Sequence, residues 1–151
     1  MTAPAVTQAD ADLPQPLELD HRPSLLIADD DPVVRFALSA QLEDSYRVVA
    51  VAADATEAIA LAEEHRPDAA LVDVEMPGGG AREAVPRIAA CSPHTRMVIL
   101  SGDESRGVVL ELLGAGAMAY LRKGVSGDHI SETLAGALRV APVPRADLPP
   151  G

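Results

Sequence analysis

From residue 24 to residue 140, short unbroken apolar runs alternate with longer stretches in which apolar residues return every three or four positions. The first pattern predicts strands covered on both faces, and the second predicts amphipathic helices. Residues 24–29 make the first strand. Asp31-Pro32 then starts a helix, with Asp31 as N-cap and Pro32 at the first helical position, where a missing N–H costs nothing. Val33, Phe36, Ala37 and Ala40 mark its apolar spacing as far as about Glu43. Arg47 to Ala52 is a second, Val-rich strand, and Asp54-Ala55-Thr56-Glu57 reads as a capping box whose glutamate returns to the cap amide. The helix it opens should bury Ala55, Ala58, Ile59 and Ala62, expose Glu57, Glu63 and Glu64, and stop at Pro67. A third strand, Asp68 to Asp73, leads into Met76-Pro77-Gly78-Gly79-Gly80, a loop with wide backbone freedom. The next helix, Arg82 to Ala90, contains Pro86, which should kink it or delay its start. Arg96 to Ser101 is the fourth strand, followed by a helical face at Val108, Val109, Leu112 and Leu113 that ends near Gly114 and Gly116. Ala117 to Leu121 is the fifth strand, and the last helix runs from about Gly127 to Val140 with Ile130, Leu134, Ala137 and Leu138 on one side.

Five β/α units in succession argue for one parallel five-stranded sheet with helices on both faces. Residues 1–23 carry Pro4, Pro14, Pro16 and Pro23 without apolar periodicity and read as a disordered leader; residues 141–151, with Pro142, Pro144, Pro149 and Pro150, read as a disordered tail or linker. A chain of 151 residues with 48% apolar content can bury one real core, and leaves no room for a second folded domain. Twelve basic against twenty-three acidic residues, a net charge of −11, argue against direct nucleic-acid binding. The lone Cys91 offers no internal disulfide, no apolar run spans a bilayer, and the N-terminus lacks signal-peptide order, so a cytoplasmic protein is expected. With one Phe, two Tyr and no Trp, the core must be aliphatic, and recognition by base stacking is implausible.

The predicted strands end on polar residues: Asp29-Asp30-Asp31 after the first, Asp73 at the end of the third, Ser101 at the end of the fourth, and Lys123 just past the fifth. Ligands bind outside the carboxyl ends of strands in open α/β sheets, so these residues can converge. Crowded carboxylates of Asp29, Asp30 and Asp73 call for a hard cation such as Mg²⁺. An ionised Asp73 can act as a nucleophile toward phosphorus, with Lys123 and the Ser101 hydroxyl facing the phosphoryl oxygens and Gly102 leaving room for the group. Taken singly, each has a plainer reading: Asp31 as a helix cap, Ser101 as a turn residue, Lys123 as a solvated charge.

Together they resemble the receiver domain of two-component response regulators, over nearly all of residues 24–140. The resemblance rests on the acidic pair Asp29-Asp30, on Asp73 within Val72-Asp73-Val74-Glu75-Met76-Pro77, and on Ser101 and Lys123, in the family's order and near its spacing. It implies a flavodoxin-like, doubly wound (βα)5 sandwich of three layers. It also implies that Asp73 takes a phosphoryl group from a histidine kinase or phosphotransfer protein, and that the domain catalyses only its own phosphorylation and dephosphorylation. Asp30 and Asp73 would bind Mg²⁺ directly, Glu75 through its backbone carbonyl, and Asp29 directly or through water. Ser101 and Lys123 would hold the phosphoryl oxygens, and Tyr120 would be the switch aromatic of a partner-binding face made by the fourth helix, fifth strand and fifth helix. A downstream protein or output domain, or a second copy of the chain in a homodimer, would read that face; no membrane is involved.

Three departures stand out. Gly124 replaces the proline usual after the lysine. Ala81, with Gly80 beside it, stands where the family has glycine. Glu75 and Asp103 are acids at positions that can flank the path of hydrolytic water. Alternatives are a receiver piece of a larger regulator, a Mg²⁺-dependent phosphohydrolase with an Asp nucleophile and Glu75 as general acid, and a binding module that no longer needs phosphorylation. Gly114-Ala115-Gly116-Ala117-Met118-Ala119 matches a dinucleotide-binding string but runs from helix to strand, the reverse of the required context, and reads as helix termination.

Overall fold

The protein is represented by a computed structural model, which describes residues 20–102 and 106–140. Ten elements follow one another as β1 (Ser24–Ala28), α1 (Pro32–Leu42), β2 (Arg47–Ala52), α2 (Ala55–His65), β3 (Ala69–Asp73), α3 (Gly80–Cys91), β4 (Arg96–Ser101), α4 (Arg106–Ala115), β5 (Ala117–Arg122) and α5 (Gly127–Arg139). All strand pairs are parallel, in the order β2-β1-β3-β4-β5. The order reverses between β1 and β3, so the chain leaves these two central strands in opposite directions and opens a crevice at their carboxyl ends. Every residue of β1 and of β3 is buried. Residues 1–19 of the predicted leader (1–23), the whole predicted tail (141–151) and Asp103 lie outside the described residues.

Side chains alternate across the sheet and feed two aliphatic cores. Leu26, Ala28, Ala70, Val72, Met97 and Ile99 pack with α2, α3 and α4 on one face. Leu25, Ile27, Ala69, Leu71, Val98 and Leu100 pack with Leu38 and Leu42 of α1 and Ile130, Leu134 and Ala137 of α5 on the other. Tyr46 closes the second core and donates its hydroxyl to the Ser131 carbonyl at 2.9 Å. The result is the three-layer, flavodoxin-like sandwich expected from the alternation of runs.

Local signals govern the helix starts. Asp31 accepts from the Val33 amide at 2.9 Å, and Asp54 accepts from the Glu57 amide at 2.7 Å. The Glu57 carboxylate returns to the Ala53 amide at 2.8 Å, one residue earlier than the cap amide expected. Arg66, at φ +46, ends α2 ahead of Pro67. Gly116, at φ +135, turns the end of α4 into β5, so the glycine string there terminates a helix.

Two expectations are corrected. On α1, the stripe Val33, Phe36, Ala37 and Ala40 faces outward, with Val33 72% and Phe36 77% exposed. The face packed on the sheet is Val34, Leu38 and Leu42. Both stripes have helical spacing, and the one of longer aliphatic side chains won the interior. The third helix begins at Gly80 rather than Arg82 and carries Pro86 within it. Pro86 and Arg82 are both on the exposed side, so the carbonyl deprived of an amide partner faces water. Gly80 itself is obligatory: its φ is +63, and a Cβ there would stand 2.4 Å from the Val74 carbonyl oxygen. Gly78, Gly79 and Gly80 all take positive φ in this loop, and Ala81 is ordinary helix, donating its amide to the same Val74 carbonyl.

Candidate functional site

Three backbone segments reach the crevice. β1 delivers Asp29 and Asp30, β3 delivers Asp73 as its last residue, and the β5–α5 turn delivers Lys123. Carboxylate oxygens of Asp29, Asp30 and Asp73 lie within 4.8 Å of one another. Asp29 is fully buried and Asp73 nearly so, whereas Asp30 is exposed at the mouth.

Asp29 is held from several sides. Its amide donates to Ala52 O at 3.0 Å, and its Oδ1 accepts from the Asp31 amide at 2.9 Å. Its buried Oδ2 is paired with the Lys123 ammonium 3.0 Å away. Lys123 Nζ donates to Asp73 Oδ2, also at 3.0 Å, and Asp73 Oδ1 accepts from the Glu75 amide at 3.3 Å. One ammonium therefore bridges two buried carboxylates, standing where charge balance asks for a cation. Hard carboxylate donors from three residues, their oxygens within 4.8 Å of one another, fit Mg²⁺. Glu75 lies exposed in the loop directly after Asp73.

These contacts shape the protonation of the site. Burial pushes the Asp73 carboxyl up to about 6; the Lys123 hydrogen bond opposes this, and the Asp29 charge adds to it. Lys123 loses hydration, but its bonds to Asp73 and Asp29 prevail and hold its ammonium above the usual range.

Ser101 is buried at the end of β4, and its carbonyl accepts from the Lys123 amide at 2.8 Å, which ties two of the expected residues into one frame. Beside it lies a groove of about 330 Å³ between α4 and β5, lined by Ser101, Arg106, Val109, Leu113, Tyr120 and Arg122 among others. Tyr120 is 48% exposed there. Gly124 adopts φ +97, a conformation closed to proline, and no cis peptide occurs among the described residues. Asp29, Asp30, Asp73 and Lys123 thus meet at one crevice, and Ser101 and Tyr120 line the adjoining groove. Sequence reasoning missed Arg35, whose Nη1 donates to the Asp29 carbonyl at 2.7 Å.

The response regulator receiver domain model matches residues 25–135. The chain belongs to this family. As a receiver it is 38% identical over 127 residues to the transcriptional regulatory protein PdtaR of Mycobacterium tuberculosis (strain H37Rv), covering 83% of this chain and 57% of that protein. It is 37% identical over 119 residues to the transcriptional regulatory protein YxjL of Bacillus subtilis, covering 76% and 52% respectively. The receiver thus spans just over half the length of these two relatives. Among solved structures, the response regulator domain of Thermotoga maritima CheB superposes with a TM-score of 0.75 at 26% identity, covering 81% of this chain and all of that one. The receiver domain of the sensor histidine kinase PA1611 from Pseudomonas aeruginosa, with a magnesium ion coordinated in its active-site cleft, gives a TM-score of 0.71 at 26% identity over 79% of this chain and 99% of that one. Residues 25–135 are therefore a receiver domain of the two-component response regulator kind. Among the described residues no helix is long and apolar enough to cross a membrane.

Proposed function

We propose that this receiver accepts a phosphoryl group on Asp73 from a histidine kinase or phosphotransfer protein, with Mg²⁺ bound by Asp29, Asp30, Asp73 and the Glu75 carbonyl. The observation that carries this reading is the Lys123 ammonium 3.0 Å from both buried carboxylates, Asp29 and Asp73. A bound divalent cation would supply positive charge opposite one equatorial phosphoryl oxygen. The chain's own residues supply the rest. An Asp73 oxygen attacks phosphorus, the new O–P bond forms as the N–P bond of phosphohistidine breaks, and the electron pair leaves on the imidazole nitrogen. Lys123 gives up its hold on Asp73 to face a second oxygen, and the Ser101 hydroxyl faces a third. The domain then catalyses no reaction beyond its own phosphorylation and dephosphorylation.

The outward stripe of α1 suits the donor. Val33 and Phe36 begin one turn beyond the acidic residues, and Phe36 is the single phenylalanine of the chain, left 77% exposed. An apolar helical patch beside the crevice can seat the helix that carries a phosphohistidine. On the other side, the groove between α4 and β5 can admit Tyr120 as Ser101 shifts toward the phosphoryl group, which changes the face presented to an output partner. The named relatives are transcriptional regulatory proteins longer than this chain, so an output domain that acts in transcription is the reader proposed for that face.

Incubation with acetyl phosphate and Mg²⁺ should give one acid-stable, base-labile phosphoryl group per chain, mapping to the peptide that holds Asp73. Catalytic turnover of p-nitrophenyl phosphate with no trapped phosphoprotein would instead establish the hydrolase alternative. Phe36→Ala should slow transfer from a cognate kinase by about tenfold, as expected of an exposed aromatic anchor, while labelling by acetyl phosphate stays unchanged. An equal loss with both donors would show that Phe36 acts on the fold and not on docking.

A further inference from the structure

We infer that Arg35 is a positioning residue for the cation site, acting through the backbone of Asp29. The inference rests on the proposed reading of the acidic group as that site. Arg35 is the fourth residue of α1, and its amide makes the first bond of that helix, to the Asp31 carbonyl at 3.0 Å. Side chains on a helix lean toward its N-terminus, so a long one at this position folds back over the chain that enters the helix. Its Nη1 reaches the Asp29 carbonyl at 2.7 Å. That carbonyl belongs to the peptide joining Asp29 to Asp30, so the guanidinium fixes the plane from which the exposed Asp30 carboxylate departs.

The other fastenings of Asp29 act on either side of that carbonyl. The Ala52 carbonyl holds the Asp29 amide, and the Asp31 amide closes onto Oδ1 in a ring that spans Asp30. Neither touches the Asp29 carbonyl. Among the described contacts, the bond from Arg35 is the one that does. Arg35 makes no ion pair with Asp29, Asp30 or Asp73, so its contribution is directional and its charge works against a bound cation. The two effects of removing it oppose each other. Loss of charge alone would tighten Mg²⁺ binding, whereas loss of orientation would weaken it, and partners of this outer kind are typically worth about 10- to 100-fold in metal affinity.

The test is calorimetric titration of Mg²⁺ into the whole chain at pH 7.5, with wild type, Arg35→Ala, Arg35→Met and Arg35→Lys, and with urea unfolding of each in EDTA. Arg35→Ala and Arg35→Met should weaken Mg²⁺ binding by about tenfold. Arg35→Lys, which keeps a donor of similar reach, should recover most of the affinity, and saturating Mg²⁺ should restore acetyl phosphate labelling in all three. Arg35→Met keeps the stem's packing and so reads the affinity even where alanine loosens α1. Unchanged or tighter binding in both Arg35→Ala and Arg35→Met overturns the inference, as does a fall in the EDTA unfolding midpoint with no change in affinity. Failure of the wild type to bind Mg²⁺ overturns the cation site itself and this inference with it, an outcome distinct from the other two.

Discussion

Asp73→Asn should lose all detectable labelling by acetyl phosphate while remaining folded. The asparagine amide cannot supply the anionic oxygen that attacks phosphorus, and a neutral side chain removes one of the three carboxylates that gather the cation. The carboxylates of Asp29 and Asp30 offer no substitute nucleophile in the same place. Asp29 is wholly buried with Oδ1 occupied by the Asp31 amide, and Asp30 is exposed. The fold survives because the side chains are nearly isosteric and Lys123 keeps its position 3.0 Å from Asp29 Oδ2. The measurement is phosphoprotein yield over time by intact-mass analysis. A rate within about tenfold of wild type, equivalent to less than about 1.4 kcal/mol of barrier, would move the acceptor elsewhere.

How far such a site is legible in a sequence depends on whether its residues act through type and order or through backbone geometry. Asp29, Asp30, Asp73, Ser101 and Lys123 were readable because each sits at the polar end of an apolar run, and parallel strands bring such ends together whatever the intervening lengths. Arg35 was not. Six residues after Asp29, it reads as a solvated helical charge, and only the turn through Asp31 and Pro32 brings its guanidinium to a backbone carbonyl. The orientation of α1 failed for another reason. Apolar residues run around most of that helix, so Val33-Phe36-Ala37-Ala40 and Val34-Leu38-Leu42 both satisfy helical periodicity, and the sheet decides between them. Pro86 shows the same limit. Its effect depends on whether the freed carbonyl meets protein or water, a property of the third helix's exposure and not of the residue.

The second large effect is a pH-dependent strain in the metal-free protein that Mg²⁺ should remove. A carboxyl whose pKa rises on folding, here Asp73 to about 6 from an ordinary 3.8, favours the fold most when protonated. Its contribution is present below about pH 4 and is lost as pH rises through about 6. Two pK units correspond to about 3 kcal/mol, and because Lys123 remains about a third exposed, solvent screening brings the expectation nearer 2 kcal/mol. Many other groups titrate in this range, so the quantity to measure is the difference in urea unfolding free energy between Asp73→Asn and wild type in EDTA. That difference should move in favour of the variant by about 2 kcal/mol between pH 4 and pH 7.5. Millimolar Mg²⁺ should then stabilise wild type at pH 7.5, do little at pH 4.5, and leave the variant nearly unaffected at both. A difference that stays flat with pH would mean that Lys123 fully compensates the buried charge. The crevice would then carry no stored cost for a cation to relieve, and the gain in function from assembling three carboxylates would come free of any loss in stability.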